Sequence, residues 1–397
     1  MRRKFHSVFR SLAPLFLMAP MIVGLGLFFG VPLGNILVRA VASPEVAIAL
    51  PETDAALAGW DTRSIPDETV FSALHADLVK SYADKTIADA ANRINLQESG
   101  MRSLMMKTAR RADGMENGSS REFAAIDDRW AELTTWRAIH GVLPRYTPEY
   151  LLRVLDMERS FDGTLRMVPK DQRIYLQILA RTLWMGAVVT VICLMIGFPM
   201  AYTISALPGM WSGLMLIGVL LPFWMSLLVR TGAWVVLLQR EGMVNTSLMD
   251  LGVIDGPLQL MFNRAGVYVA MVHVLLPFMI LPIYSVMKGI SNERIRAAQS
   301  LGATPLRAFV SVYLPDTLPG VGAGILLVFV LAIGFYITPA LIGGSNDQML
   351  SYLIAQLANK NANFGLASAL AILLMIPVLG AVALVMRWTR LGMGTGK

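Results

Sequence analysis

Side chains that could carry out catalysis or bind a metal are few and widely separated in this chain of 397 residues. Its four histidines, His6, His75, His140 and His273, do not have the spacing of metal ligands. The single cysteine, Cys193, cannot form an intrachain disulfide. The C-terminal GMGTGK lacks the first glycine and the final hydroxyl residue of a phosphate-binding loop, and no nucleophile elbow or HExxH helix occurs. The sequence therefore predicts a protein that is not an enzyme and binds no cofactor directly.

The most specific spacing lies in a charged segment, RAAQSLGATPLRAFVSVYLP, which runs from Arg296 to Pro315 between two apolar stretches. Asn292 is suited to the N-cap of a short helix, and Glu293 places negative charge in its first turn. Gly302 is suited to the left-handed position that follows a last helical turn. The pattern therefore predicts that a first short helix ends at Gly302.

A second short helix is predicted to follow directly. Thr304 is a suitable N-cap, Pro305 fits the first helical position, and Pro315 is expected to end the helix. Each helix has an apolar stripe, formed in the first by Ile295, Ala298 and Leu301 and in the second by Leu306, Phe309, Val310 and Tyr313. Two amphipathic helices in a charged loop predict a compact docking element.

The elements around this hairpin of helices are those of a membrane protein. Hydrophobic residues make up 55% of the chain and the mean hydropathy is +0.57. The chain has five long uncharged runs. The second run is long enough for two spans, because ALPGMWSG supplies a Pro-Gly turn in its middle. Six transmembrane helices are therefore predicted, within the runs Leu12–Val38, Thr182–Val229, Ala265–Met287, Thr317–Asn346 and Asn361–Met386.

Lysine and arginine in the short flanking segments predict the orientation of these spans. They are concentrated in the tail of residues 1–11, in the hairpin segment of residues 289–316 and in the tail of residues 389–397. The short loops on the other side hold only Arg240, Arg264 and Lys360. Both termini and the hairpin are therefore predicted to be cytoplasmic. The basic balance reflects this topology and does not indicate a nucleic-acid partner.

Between the first span, residues 12–38, and the second lies an insert of residues 39–173 with the composition of a soluble domain. Residues 43–173 hold 21 of the 27 acidic side chains. Two apolar patterns indicate amphipathic helices, and Ser119 with Glu122 fits a capping box. We therefore predict an α-helical extracytoplasmic insert, whose patterns are Phe71, Leu74 and Leu78, and Phe123, Ile126, Trp130 and Leu133.

One charge falls within an apolar run. Arg230, in LLVRTGAW, is a candidate for a translocation path or gate, because a charge inside the membrane is costly and therefore often functional. The alternative is an arginine that extends to the outer interface beside Trp234. His273, in the fourth span, is a second candidate for the path.

The hairpin resembles the cytoplasmic EAA loop of permease subunits of binding-protein-dependent ABC importers. That loop reads Glu-Ala-Ala, three residues, Gly, nine residues, then Ile-x-Leu-Pro. The resemblance assigns ATPase coupling to the matching positions, of which Arg296 departs from the usual Glu. These positions are Arg296, Ala297, Ala298, Gly302, Val312, Leu314 and Pro315.

Four further segments are similar to the spermidine/putrescine-type permeases and extend the resemblance over a core of residues 174–388. They are PFWMSLLVRTGAWVVLL, GMVN, HVLLPFMILPIY and PALIGG. The resemblance implies a permease of the bacterial inner membrane for a small solute, a polyamine or a related organic solute. The implied partners are an ATPase dimer that uses ATP and Mg²⁺, a second and different permease subunit, and an extracytoplasmic solute-binding protein.

Two other classes remain open from the sequence. A secondary transporter would need internal repeats and polar residues at the middle of the membrane. A membrane receptor could use the helical insert as a sensing domain, although only 11 residues follow Met386.

Overall fold

The computed structural model describes residues 18–42, 44–95, 97–144, 146–159, 164–360 and 363–394. The predicted tail 1–11, residues 12–17 of the predicted first span, and residues 395–397 lie outside these ranges. The described chain forms two compact units. One contains the described residues up to Gln172 with Gln356–Ile372, and the other contains Arg173–Ala355 with the residues from Leu373 onward.

The first unit begins with α1, the apolar helix Met18–Arg39, which contains a π-helical turn at Gly26–Gly30. The insert follows with short helices and a two-stranded antiparallel hairpin that pairs Met157 with Met167. The helices are α2 Pro44–Ala49, α3 Pro51–Leu57, α4 Glu68–Ala83, α5 Ile87–Ile94, α6 Met101–Ala112, α7 Ser120–Ile126, α8 Leu133–Val142 and α9 Glu149–Val154, and the strands are β1 Met157–Arg159 and β2 Leu165–Met167.

Four aromatic rings form the centre of the insert's own hydrophobic core. Phe71 makes edge contacts with Trp136 and Phe123 at centroid distances of 4.7 and 5.4 Å, and Phe123 contacts Trp130 at 5.0 Å. The buried indole nitrogens are satisfied, because Trp130 donates to Thr108 Oγ1 at 2.9 Å and Trp136 donates to the Trp130 carbonyl at 3.1 Å. The insert is therefore a packed helical domain.

The predicted capping box of α7 is confirmed. The carboxylate of Glu122 accepts hydrogen bonds from the Ser119 amide at 2.8 Å and the Glu116 amide at 2.9 Å. These bonds, that from Ser119 first, lower the pKa of Glu122 to about 2. The apolar face of α4 is confirmed as well, because Phe71, Leu74 and Leu78 are all buried.

The second predicted apolar face does not belong to one helix. α7 ends at Ile126, because Asp127 is extended and its side chain accepts the Arg129 amide to start a 3-10 turn at Asp128–Ala131. This break changes the helical phase between the aromatic positions. Phe123 and Trp130 are buried as predicted, whereas Ile126 and Leu133 are only half-buried.

The second unit contains most of the long apolar helices. The turn predicted at ALPGMWSG separates α10 from α11, and the last two helices, α18 and α19, are shared by both units. The helices are α10 Tyr175–Ala206, α11 Gly209–Leu220, α12 Leu227–Leu237, α13 Met243–Asp250, α14 Arg264–Lys288, α15 Asn292–Ser300, α16 Pro305–Gly334, α17 Ile337–Ile342, α18 Leu350–Asn359 and α19 Phe364–Gly394.

Within the described residues, five helices are long and apolar enough to cross a membrane, and a bent pair brings the number to six when it is counted as one span. The bent pair joins Gly209–Trp224 to Leu227–Leu237 at 95°. Pro222 lacks an amide hydrogen, and Ser226 starts the second half by accepting the Val229 amide at 3.2 Å. The third predicted span is therefore broken before Val229, where the sequence predicted a continuous helix.

The helices α10, α14 and α16 pack against one another and form the centre of the second unit. Close approach depends on glycines of α16. A Cβ atom at Gly320 would lie 2.8 Å from the Pro282 carbonyl, and one at Gly324 would lie 2.8 Å from Met279 Sδ. Larger side chains at either glycine would force α16 away from α14.

The predicted fifth span, Thr317–Asn346, has different ends in the structure. Its helix begins earlier, at Pro305, and stops at Gly334, after which the short α17 forms. The connecting loop is held by an ion pair between Arg264 Nε and Asp347 Oδ1 at 2.8 Å. Asp347 is thus buried and paired rather than free.

The aromatic core predicts a large cost for truncating one ring in the insert. Trp136→Ala is expected to destabilise the insert by about 3–5 kcal/mol, because a fully buried side chain leaves a cavity. Hydrogen exchange of α6 amides in the full-length protein should accelerate by about 10²-fold or more. Ile65→Ala, at a side chain that is 45% exposed, should change stability by less than about 0.5 kcal/mol. Equal exchange in both variants would contradict a packed aromatic core.

Candidate functional site

The first helix of the charged hairpin is α15, and its start differs from the predicted one. The N-cap is Ser291, whose hydroxyl accepts the Glu293 amide at 3.2 Å, so the prediction of Asn292 is wrong by one residue. Serine and asparagine cap helices equally well, so composition alone could not decide between adjacent positions. Glu293 lies in the first turn, where its charge favours the helix dipole.

The end of α15 has the hydrogen bonds of a Schellman motif. The Ala303 amide donates to the Ala298 carbonyl at 3.1 Å, and the Gly302 amide donates to the Gln299 carbonyl at 2.9 Å. Gly302 has φ +92°, in the left-handed region that side chains with a Cβ rarely adopt. The predicted role of Gly302 as the turn between two helices is confirmed.

The second helix of the hairpin is the beginning of α16. Thr304 Oγ1 accepts the Arg307 amide at 3.3 Å and Pro305 occupies the first turn, both as predicted. Pro315 does not end this helix, and that prediction is wrong. A π-helical turn at Phe309–Tyr313 shifts the backbone bonding so that the Leu314 amide reaches Phe309 O, and Pro315 opens the next α-helical stretch. A proline in the first turn of an α-helical stretch does not interrupt the helix.

The large side chains of the two predicted apolar stripes form two groups, one packed against the core and one exposed. Ile295, Phe309 and Tyr313 pack toward the core of the second unit. The remaining large apolar side chains face outward, with Leu301 90%, Leu306 73% and Val310 51% exposed. We call these three side chains the exposed apolar trio. The sequence pattern placed them on the same stripes as the residues that pack toward the core, because periodicity identifies a helical face but not what covers it.

The predicted coupling residues lie together on this hairpin, with different exposure. Arg296 and Ala297 are exposed and Ala298 is half-buried on α15. Val312 and Leu314 are half-buried on α16, and the side chain of Pro315 is exposed.

An ion pair that was not predicted from the sequence joins α15 to the base of α16. Arg294 Nη1 lies 2.6 Å from Asp316 Oδ2, across the turn at Gly302. The available signal in the sequence was the opposite charge of Arg294 and Asp316, one before and one after the turn at Gly302. Within the described part of the chain, no carboxylate pairs with Arg296, so its charge is available to a partner.

The two path candidates, Arg230 and His273, lie on α12 and α14. Arg230 is half-buried, its Nη2 donates to the Met225 carbonyl at 3.2 Å, and its Nε is buried without a partner. Trp234, one turn further along α12, donates from Nε1 to His273 Nδ1 at 3.2 Å. The structure thus connects His273 to the helix that carries Arg230.

His273 also lines a cavity of about 560 Å³ between α10, α11 and α14. Arg230 is not among the described residues that line it. The other lining residues are predominantly apolar: Pro199, Met200, Thr203, Ile204, Leu207, Leu214, Met215, Gly218, Val219, Pro222, Leu276, Pro277 and Ile280.

The second unit matches a known family over most of its length. The family model described as "Binding-protein-dependent transport system inner membrane component" matches residues 183–390. This range includes the hairpin, both path candidates and the bent pair. The helical insert, residues 39–173, lies outside it.

Individual relatives match the same half of the chain. The spermidine/putrescine transport system permease protein PotB of Haemophilus influenzae is 35% identical over 52% of this chain and 73% of its own length. PotB of Escherichia coli is 34% identical over 53% and 77%. A putative 2-aminoethylphosphonate transport system permease protein, PhnU of Salmonella typhimurium, is 26% identical over 56% and 77%.

Among solved structures, a bacterial ABC transporter involved in the import of alginate matches at 16% identity with a TM-score of 0.46. The match covers 56% of this chain and 80% of that one.

Proposed function

The chain belongs to the family of binding-protein-dependent transport system inner membrane components, and we propose that it is the permease subunit of an ATP-driven importer for a polyamine or a related small organic solute. The observation that carries this proposal is the family match over residues 183–390, which includes a hairpin with the left-handed turn at Gly302. The chain is a multi-pass protein of the inner membrane. Both termini and the hairpin are proposed to lie in the cytoplasm.

The proposed partners are those implied by the family, whose description names a binding-protein-dependent transport system. A dimer of ATPase subunits would bind ATP and Mg²⁺, and this chain would pair with a second, different permease subunit. An extracytoplasmic binding protein would deliver the solute. The exposed apolar trio Leu301, Leu306 and Val310 supports a protein partner on the hairpin, because exposed large apolar side chains are a common feature of protein interaction sites.

We propose that α15 acts as a lever when the ATPase subunits close. Support comes from the connection of α15 to its surroundings: a single left-handed turn joins it to α16, and the Arg294–Asp316 pair holds it to the base of that helix. α16 packs on α14 and α10, so a displacement of α15 would act on three spans at once. Ala297, Ala298 and Gly302 are the proposed coupling contacts, with Val312, Leu314 and Pro315 at the root of the lever and Arg296 facing the partner.

A cationic solute would meet no strong binding site in the described core spans. Of the acidic side chains after Arg173, Asp347 is paired with Arg264 and Asp316 with Arg294. The others, Glu241, Asp250, Asp255 and Glu293, are exposed in loops or at helix ends. Selection of a polyamine would therefore rest with the binding protein. Arg230 and His273 are proposed to act in a gate at the bend between α11 and α12.

Uptake by proteoliposomes tests the proposed function. The chain, reconstituted with its ATPase, permease and binding-protein partners, should accumulate radiolabelled spermidine or putrescine only when ATP and Mg²⁺ are present. Omitting the binding protein should abolish uptake. Accumulation by this chain alone, without ATP, would contradict the proposal and favour a secondary transporter.

The turn at Gly302 gives a sharper test of the lever. Gly302→Val should leave membrane insertion and ATP hydrolysis intact but strongly reduce uptake, because a β-branched residue at φ +92° costs about 1–3 kcal/mol and redirects α15. Gly302→Asn is the matched control, since asparagine tolerates the left-handed region, and it should retain most uptake. Normal uptake by the valine variant would rule out the lever assignment.

A further inference from the structure

A cavity of about 510 Å³ lies at the joint between the hairpin and the spans. It is separate from the cavity that His273 lines, and no step of the proposed transport cycle uses it. Four elements enclose it: the end of α10, the end of α14, α15 and the start of α16. Its lining residues are Tyr202, Ser205, Ala206, Met287, Lys288, Ile290, Ile295, Gln299, Pro305, Phe309 and Tyr313.

Three aromatic rings form one wall of this joint cavity. Tyr202 makes edge contacts with Phe309 and Tyr313 at centroid distances of 5.7 and 5.5 Å, and Phe309 stacks on Tyr313 at 5.4 Å. Phe309 and Tyr313 are the first and last residues of the π-helical turn. π-helical turns often occur at functional sites.

The charges around the joint cavity favour an anion. Among the described residues that line the cavity, Lys288 is the one cation, and none is a carboxylate. Lys288 is exposed, and no carboxylate of the described chain is within ion-pair distance of it. Tyrosine and glutamine side chains add neutral donors. An ammonium group with several neutral donors is suited to the oxygens of a phosphate ester.

The apolar lining residues include Met287 at the end of α14, Ile290 in the following loop and Ile295 on α15. Met287, Ile290 and Ile295 provide a surface for hydrocarbon next to Lys288. A basic pocket between spans at the cytoplasmic face is suited to an acidic phospholipid, because that leaflet is rich in anionic head groups. We propose that the joint cavity binds the phosphate of an acidic phospholipid head group through Lys288. This inference rests on the proposed topology, which puts the cavity at the cytoplasmic face.

A bound lipid would connect the moving parts of the lever. The head group would contact α15 through Gln299 and the end of α14 through Lys288. Its presence would therefore affect how far α15 can move relative to α14. Acidic lipid would become a requirement for full coupling between ATP hydrolysis and uptake.

Lipid binding to the full-length protein tests the proposal directly. Delipidated protein is titrated with phosphatidylglycerol, phosphatidylcholine or inorganic phosphate, and bound molecules are counted by native mass spectrometry. Phosphatidylglycerol should bind at least about tenfold more tightly than phosphatidylcholine, and Lys288→Gln should remove about tenfold of that affinity. Lys288→Arg should retain it.

Arg307→Gln is the matched control, because Arg307 is an exposed cation of the same hairpin that does not line the cavity. Its lipid affinity should equal that of the unmodified protein. Equal loss in both glutamine variants, or equal binding of the two lipids, would overturn the site. Competition by millimolar inorganic phosphate would assign the cavity to a soluble phosphate and overturn the lipid. Binding is measured without ATPase or transport, so failure of the proposed function would appear separately.

Discussion

The hydrocarbon of a bilayer offers no hydrogen-bond partner to the backbone, and this constraint governs the second unit. Every span must satisfy its own N–H and C=O groups, so the chain crosses as helices and concentrates its irregular backbone at a few places. One is the bend between α11 and α12, where Ser226 supplies a cap. Another is the π-helical turn at Phe309–Tyr313, whose shifted bonds let Pro315 enter a continuous helix. Both breaks are next to the residues proposed to gate or couple.

The same constraint explains how a small hairpin can act on a large bundle. Because α16 continues from Pro305 to Gly334, the second helix of the hairpin and a whole span form one continuous helix. Gly320 and Gly324 bring that element into backbone contact with α14. In the proposed lever, a movement of α15 would reach the packed core through the turn at Gly302 and this continuous helix.

Local signals in the sequence predicted much of this arrangement. The number of spans, the turn before α11, the capping box at Ser119 and the left-handed Gly302 each depend on residues that are close together in the chain. The predictions were wrong where the local structure depends on residues that are distant in the chain or on the conformation of a neighbouring turn. Pro315 reads as a helix end until the preceding π-helical turn is known, and the Arg294–Asp316 pair requires the turn at Gly302 to bring its members together. Periodicity also could not predict that Ile295 packs inward while Leu301 faces solvent.

A site-specific cross-link can show whether the hairpin transmits ATP-driven movement. A photoreactive amino acid is placed at Ala297, which is exposed on α15, and membranes that contain the complete transporter are illuminated with and without ATP. If α15 is the lever, we expect a single adduct with the ATPase subunit, whose yield changes when ATP binds. An adduct with lipid or with the binding protein, and none with the ATPase, would contradict the lever assignment.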